Sequence, residues 1–285
     1  MKLGVILDGI SHDPSIACKV LAEHDIRHCE IQYLLGKEIA EHTPSEITLI
    51  KKALHEHNIQ VACITKHNFN GIPWDTELDS ELIAYHRQGL ERSFAVADQL
   101  DCPLVRIMSC RKEMILFGNN GAENWIVKRG AWDAQIKIME IAVQMAEKVN
   151  IQLVMENENG GMITSNYLAA KLINEIGSDH LGILWDPCNA LYCTEEPYPA
   201  GYQLGRKYIR HIHLKDAIID IARATVQFQP LGEGNLAPYL PSIAAALQKD
   251  NYNGVISLEA NYCPVGENTR LGFEQSVKYF IKTFK

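Results

Sequence analysis

The sequence contains no Cys-x-x-Cys pair. Its eight cysteines, at 18, 29, 63, 102, 110, 188, 193 and 263, stand singly, and several lie in apolar runs, where a free thiol behaves as a small hydrophobe. A reduced, cytoplasmic setting is expected. No run reaches the roughly 18 apolar residues of a membrane span. The apolar start, Met1 to Leu7, is too short for a signal peptide and is broken by Asp8. There is no low-complexity tract, no repeat of fixed length and no Pro- or Gly-rich linker, so residues 1–285 read as one domain. Positive charge is also short. Lys and Arg number 27 against 35 Asp and Glu, for a formal charge of -8. That argues against a broad nucleic-acid surface, which needs clustered cations.

What is present is alternation. Short apolar runs near 3–7, 28–32, 60–65, 104–109, 151–156, 181–186, 209–214 and 254–259 read as strands, with amphipathic segments between them. Runs such as Ile151-Gln152-Leu153-Val154-Met155 suit parallel strands buried on both faces. Thr43-Pro44-Ser45-Glu46 opens a helix with an N-cap, a first-turn Pro and a Glu three residues on. Apolar spacing predicts helices over about 79–99, 132–149 and 267–284, with further starts at Ser165 and Pro238. Eight βα units in 285 residues predict a (β/α)8 TIM barrel. The alternative, an open doubly wound sheet, usually carries a Gly-rich phosphate loop after its first strand. Leu7-Asp8-Gly9-Ile10-Ser11 is not one.

In such a barrel the chemistry sits at the C-terminal ends of strands. Strand five ends in Glu156, strand six in Asp186 and strand eight in Glu259; strand seven carries His213. A carboxylate ending a buried apolar strand is costly unless paired or bound to a cation. Three converging carboxylates repel one another without positive charge between them. A divalent ion resolves this, with His213 as the nitrogen ligand. Three oxygens and one nitrogen suit Mn, Mg, Co or Zn alike. The competing reading is four unrelated ion pairs at the barrel mouth. His211, His213 and Lys215 alternate by two and share a face. His211 lies deeper, as an interior histidine behind the ligand, and His213 nearer the rim.

These motifs, Val154-Met155-Glu156, Trp185-Asp186-Pro187-Cys188-Asn189, His211-Ile212-His213-Leu214-Lys215-Asp216 and Leu258-Glu259, resemble the xylose-isomerase-like barrel superfamily in its sugar isomerase/epimerase branch. The resemblance spans essentially the whole chain. It implies one divalent metal on Glu156, Asp186, His213 and Glu259. It also implies proton transfer beside a carbonyl of a small sugar-like substrate, through an enediolate, with Glu156 and Glu259 as acid and base. Family members form dimers or tetramers, which implies a homo-oligomer. The family's ketose epimerases place a His three residues after the strand-six Asp; here stands Asn189, which bonds a hydroxyl but shuttles no proton.

Substrate contacts are expected from Glu158, Asn189, Lys66, His67, Lys215 and His211. For Lys66, His67 and Glu158 a solvated loop position is the alternative. Arg106, inside an apolar strand, needs a partner, most simply a barrel carboxylate. The segment from about Arg111 to Arg129 reads as a lid or an oligomer contact. Gly232-Glu233-Gly234 reads as a tight turn, not a phosphate cradle. The leading functional expectation is an isomerase or epimerase. The alternative is a dehydratase of a cyclic substrate resembling dehydroshikimate or inosose. Less favoured is an endonuclease at abasic DNA, because the Asp-x-His pair expected after strand seven is replaced by Gln227-Phe228-Gln229-Pro230.

Overall fold

The computed structural model describes residues 1–112, 130–266 and 268–285. Eight parallel strands close into a barrel: β1 (Lys2–Ile6), β2 (His28–Ile31), β3 (Gln60–Asn68), β4 (Leu104–Ile107), β5 (Gln152–Glu156), β6 (Leu181–Trp185), β7 (Ile209–Leu214) and β8 (Val255–Leu258). The last strand pairs with the first, Lys2 opposite Val255 and Val5 opposite Leu258. The expected (β/α)8 TIM barrel is the observed fold. Helices α1 (Pro14–Glu23), α2 (Pro44–Glu56), α3 (Glu81–Gln99), α4 (Ala131–Val149), α5 (Asn166–Ile176), α6 (Pro187–Tyr192), α7 (Leu240–Lys249) and α8 (Thr269–Phe284) lie between or after the strands. Among the described residues, no helix is long and apolar enough to cross a membrane.

Local chemistry sets several starts. Thr43 forms the full capping box with Glu46 at the head of α2. Ser165 caps α5, which ends at Gly177 in the left-handed region. Three expectations shift. Strand β3 runs on to Asn68, so Lys66 and His67 lie on the strand and not in the loop after it. α7 begins at Leu240, two residues beyond Pro238. α8 begins at Thr269. The connection after β6 is made of short pieces, α6 and Tyr202–Gly205. Two hairpins were not anticipated: Tyr33–Leu34 with Lys37–Glu38, and Asp216–Asp220 with Thr225–Gln229. Residues 113–129, most of the expected lid, lie outside the described residues.

The barrel interior is layered by the two-residue period of its strands. Cys63, Val154 and Leu184 form an apolar floor, with Leu104 packed against it. Two residues further along each strand come Thr65, Glu156, Asp186 and Arg106, all buried. The apolar floor therefore carries a charged storey directly above it.

Candidate active site and metal centre

Each of Glu156, Asp186, His213 and Glu259 offers one ligand atom within 4.8 Å of the others. They come from the ends of β5, β6, β7 and β8, so the reading of four unrelated pairs does not describe them. Asp186 is held doubly. It is the N-cap of α6, where Oδ1 accepts the N–H groups of Cys188 and Asn189. That leaves Oδ2 facing the centre, where Lys215 Nζ lies 2.5 Å away.

Protein cations already touch these carboxylates. Arg106 donates to Glu156 at 2.7 Å, the barrel-carboxylate pairing expected of it. Lys215 bridges Asp186 and Glu259, at 2.7 Å from the latter. Charge nevertheless does not balance. Four buried or nearly buried carboxylates, Glu30, Glu156, Asp186 and Glu259, face two fixed cations, Arg106 and Lys215. Two negative charges remain, the complement of one divalent ion with His213 neutral. The donor set therefore fits such an ion, provided Lys215 yields the two oxygens it holds.

The titration behaviour reports the same deficit. Burial works against charge on His213, yet Glu30 and Glu156 hold its pKa well above the ordinary value. Burial likewise opposes charge on Glu156, but Arg106 and His213 outweigh it and hold the carboxyl far below its usual range. Glu259 is lowered against burial by Lys215 and His213. For Asp186 burial wins, helped by Glu259 and Glu156 and opposed by Lys215, and the pKa is pushed up to about 6.

His213 is oriented from across the barrel. Its Nε2 lies 2.9 Å from Glu30 Oε2. Its Nδ1 faces Glu156 at 3.3 Å and Glu259 at 3.6 Å. A carboxylate on the outer nitrogen of a ligand histidine fixes the ring and its tautomer. His211 Nε2 lies on the other Glu30 oxygen at 2.5 Å, and Thr65 also donates to Glu30. Glu30, near the end of β2, thus meets two histidines and a hydroxyl. Glu30, His211 and His213 also lie within 4.8 Å of one another, but each Glu30 oxygen is already hydrogen-bonded to protein.

A mouth cavity of about 250 Å³ lies above the centre, lined among others by His67, Arg106, Glu156, Glu158, Asn189 and Glu259. The expected substrate residues divide here. His67, Glu158 and Asn189 line the cavity. Lys66, Lys215 and His211 do not. Lys66 is tied to Glu38 and Glu41, Lys215 to two carboxylates of the centre, and His211 to Glu30. The reason for Lys66 is parity. Thr65 and His67 face inward, so Lys66 points to the hairpin side. Asn189 donates to Asn157 O at 2.9 Å, and its Oδ1 accepts the Tyr192 hydroxyl. Tyr192, Gln32 and Asn159 also line the mouth and carried no signal in the sequence. Phe69 is fully buried against His86 and packs the fold. Gly232-Glu233-Gly234 is a turn whose Gly232 and Gly234 N–H groups are spent on Asp216. The segment that would supply the endonuclease-type ligands is the exposed strand Thr225–Gln229. A larger hollow of about 710 Å³ opens at the opposite end of the barrel, around Lys2, His28 and Gly254, away from every carboxylate of the centre.

A closed barrel with an acidic, imidazole-bearing centre at the C-terminal ends of its strands is the architecture of a barrel enzyme. Within that class, the chain belongs to the xylose isomerase-like TIM barrel family, which matches residues 18–283. It is 21% identical to an inosose dehydratase of Clostridium beijerinckii over 303 residues, covering 98% of this chain and 94% of the relative. Among solved structures it resembles the IOLI protein with a bound zinc atom, at TM-score 0.76 and 12% identity, covering 100% and 98% of the two chains. It also resembles the 3-keto-D-glucoside 4-epimerase of E. coli, at TM-score 0.72 and 16% identity, covering 99% of each.

Proposed function

We propose that the chain is a divalent-metal-dependent dehydratase of a cyclic keto-polyol. The carrying observation is geometric: Glu158 and Glu259 line one mouth cavity directly above the Glu156, Asp186, His213 and Glu259 cluster. Glu259 is held ionised. Glu158 is raised by burial and by Glu156, against the Gly160 N–H it accepts. Carboxyls with divergent pKa values at one cavity suit opposite proton-transfer roles. The similarity to an inosose dehydratase over nearly the whole chain supports the same reading.

Glu156, Asp186, His213 and Glu259 would hold Mn, Mg, Co or Zn, which supplies Lewis-acid polarisation of a carbonyl oxygen. Glu156 is anchored by the buried Arg106, whereas Glu259 is the more solvent-reached of the two and serves as base once Lys215 releases its Oε2. Glu259 takes the proton from the carbon beside the carbonyl. The electron pair moves in, the carbon–oxygen bond at the next carbon breaks, and the departing oxygen takes a proton from Glu158 and leaves as water. Asn189 holds a substrate hydroxyl in place without exchanging a proton. The second reading is an isomerase or epimerase, in which Glu156 and Glu259 work as the acid/base pair and a proton returns to carbon. The likeness to a keto-glucoside epimerase favours it. An endonuclease at abasic DNA has the least support, since the exposed strand Thr225–Gln229 offers no Asp-x-His pair.

A screen of cyclitols, ketoses and keto-acids, with each of the four metals in deuterated water and read by mass spectrometry, separates the readings. Loss of water is expected. Deuterium uptake with no loss of water would transfer the assignment to the isomerase. Turnover of nothing would sink both. Glu259→Gln and Glu158→Gln are each expected to lower kcat by at least about a hundredfold.

A further inference from the structure

The mouth of the barrel has a second lobe. A hollow of about 210 Å³ lies over β1 and β8, lined among others by Asp8, His12, Gln32, Glu259, Asn261 and Thr269. It shares Gln32 and Glu259 with the first lobe. Either lobe alone falls below the roughly 300–1,000 Å³ of small-molecule sites; the two together fall within it. The join is chemically continuous, because Asn261 Nδ2 donates to Glu259 Oε1 at 2.9 Å, next to the oxygen that faces the centre.

The lining sets the ligand's charge. Among the described residues, the second lobe has no Lys or Arg; His12 is its one basic side chain, and Asp8 and Glu259 are acidic. The first lobe offers Arg106, which is already committed to Glu156. Among the described lining residues, a phosphate would meet carboxylates with no free fixed cation to neutralise it. Amide, carboxyl, hydroxyl and imidazole groups are instead the partners of sugar hydroxyls. Asp8 spends one oxygen on a long, 3.4 Å bond from Tyr33 N–H, which leaves the other for a donor.

We propose that substrate spans both lobes, with its reacting ring over Glu259 and an uncharged, hydroxyl-bearing substituent, such as the second ring of a glycoside, in the lobe of Asp8, Gln32 and Asn261. This rests on the centre at Glu156 and Glu259 being the reacting end. The test reads binding alone, so it is separate from the turnover screen. Glucose, cellobiose, maltose and glucose 6-phosphate are titrated against the full chain by saturation-transfer NMR. At least one disaccharide is expected to bind about tenfold tighter than glucose, and glucose 6-phosphate no tighter than glucose. Asp8→Ala with Asn261→Ala should bring the disaccharide down to the affinity of glucose. If the double variant does not fold, Asn261→Ala alone, at an exposed loop position, should remove part of the gain. Disaccharides binding no tighter than glucose, a preference for the phosphate ester, or a gain that survives in the variants would each overturn the proposal.

Discussion

Arg106 is the residue whose removal should cost most. Its guanidinium is buried, donates to Glu156 and to Thr65 O, and crosses three strands in doing so. Arg106→Met keeps most of the unbranched stem but leaves Glu156 buried without its cation. Breaking a buried pair in this way costs about 3–5 kcal/mol. Urea unfolding is expected to show that loss, and a change below about 1 kcal/mol would mean that Glu156 has found another partner. The sequence exposed much of this storey. Glu156, Asp186 and Glu259 each end an apolar strand, and period-two spacing sets His213 nearer the rim than His211. It did not expose the partners of Glu30. That carboxylate serves histidines three strands away around the ring, and closure of the barrel, which no local pattern encodes, brings them together. Lys215, expected on the substrate, is drawn inward for another reason: its long stem carries the ammonium back onto Asp186 and Glu259.

The hairpin of Tyr33–Leu34 and Lys37–Glu38 is an element without a sequence signature, since each arm has two residues. It is fastened by Glu38, which accepts from Lys66 and from the His67 backbone and faces the His67 ring. Burial opposes ionisation of Glu38, but the His67 and Lys66 contacts win and its pKa falls to about 2 from 4.5. A carboxyl depressed on folding contributes stability above pH 4.5 and loses it as pH falls towards 2. Glu38→Gln removes that contribution. The stability difference between the parent and this variant should be widest near neutrality and close between pH 4.5 and 2, as followed by urea midpoints at stepped pH. A gap constant with pH would assign the fastening to packing. By contrast, α2 was legible down to its first turn, because Thr43 and Glu46 write the cap into four consecutive residues.

At the scale of the whole molecule, the strand–helix alternation was enough to give the barrel, because parallel strands buried on both faces leave an unmistakable apolar run. A ligand that binds only the folded chain stabilises all of it. At a hundred times its dissociation constant, a metal ion is worth about 2.7 kcal/mol. For a domain of this size that raises the melting temperature by on the order of 5–10 °C. Chelator treatment followed by Mn, Mg, Co or Zn should reveal the rise in calorimetry. A melting temperature indifferent to all four would remove the ion from the account.

The Glu30 bonds to His211 and His213 join β2 to β7 through the hollow of the barrel, bypassing the β1–β8 seam that lies between them. A ring held only by its rim would part most readily where chain ends meet; one with an internal tie-bar need not. Amide hydrogens of Val5 and Leu258 should therefore exchange as slowly as those of β5. Fast exchange at the seam would show that the tie-bar does not carry the strain.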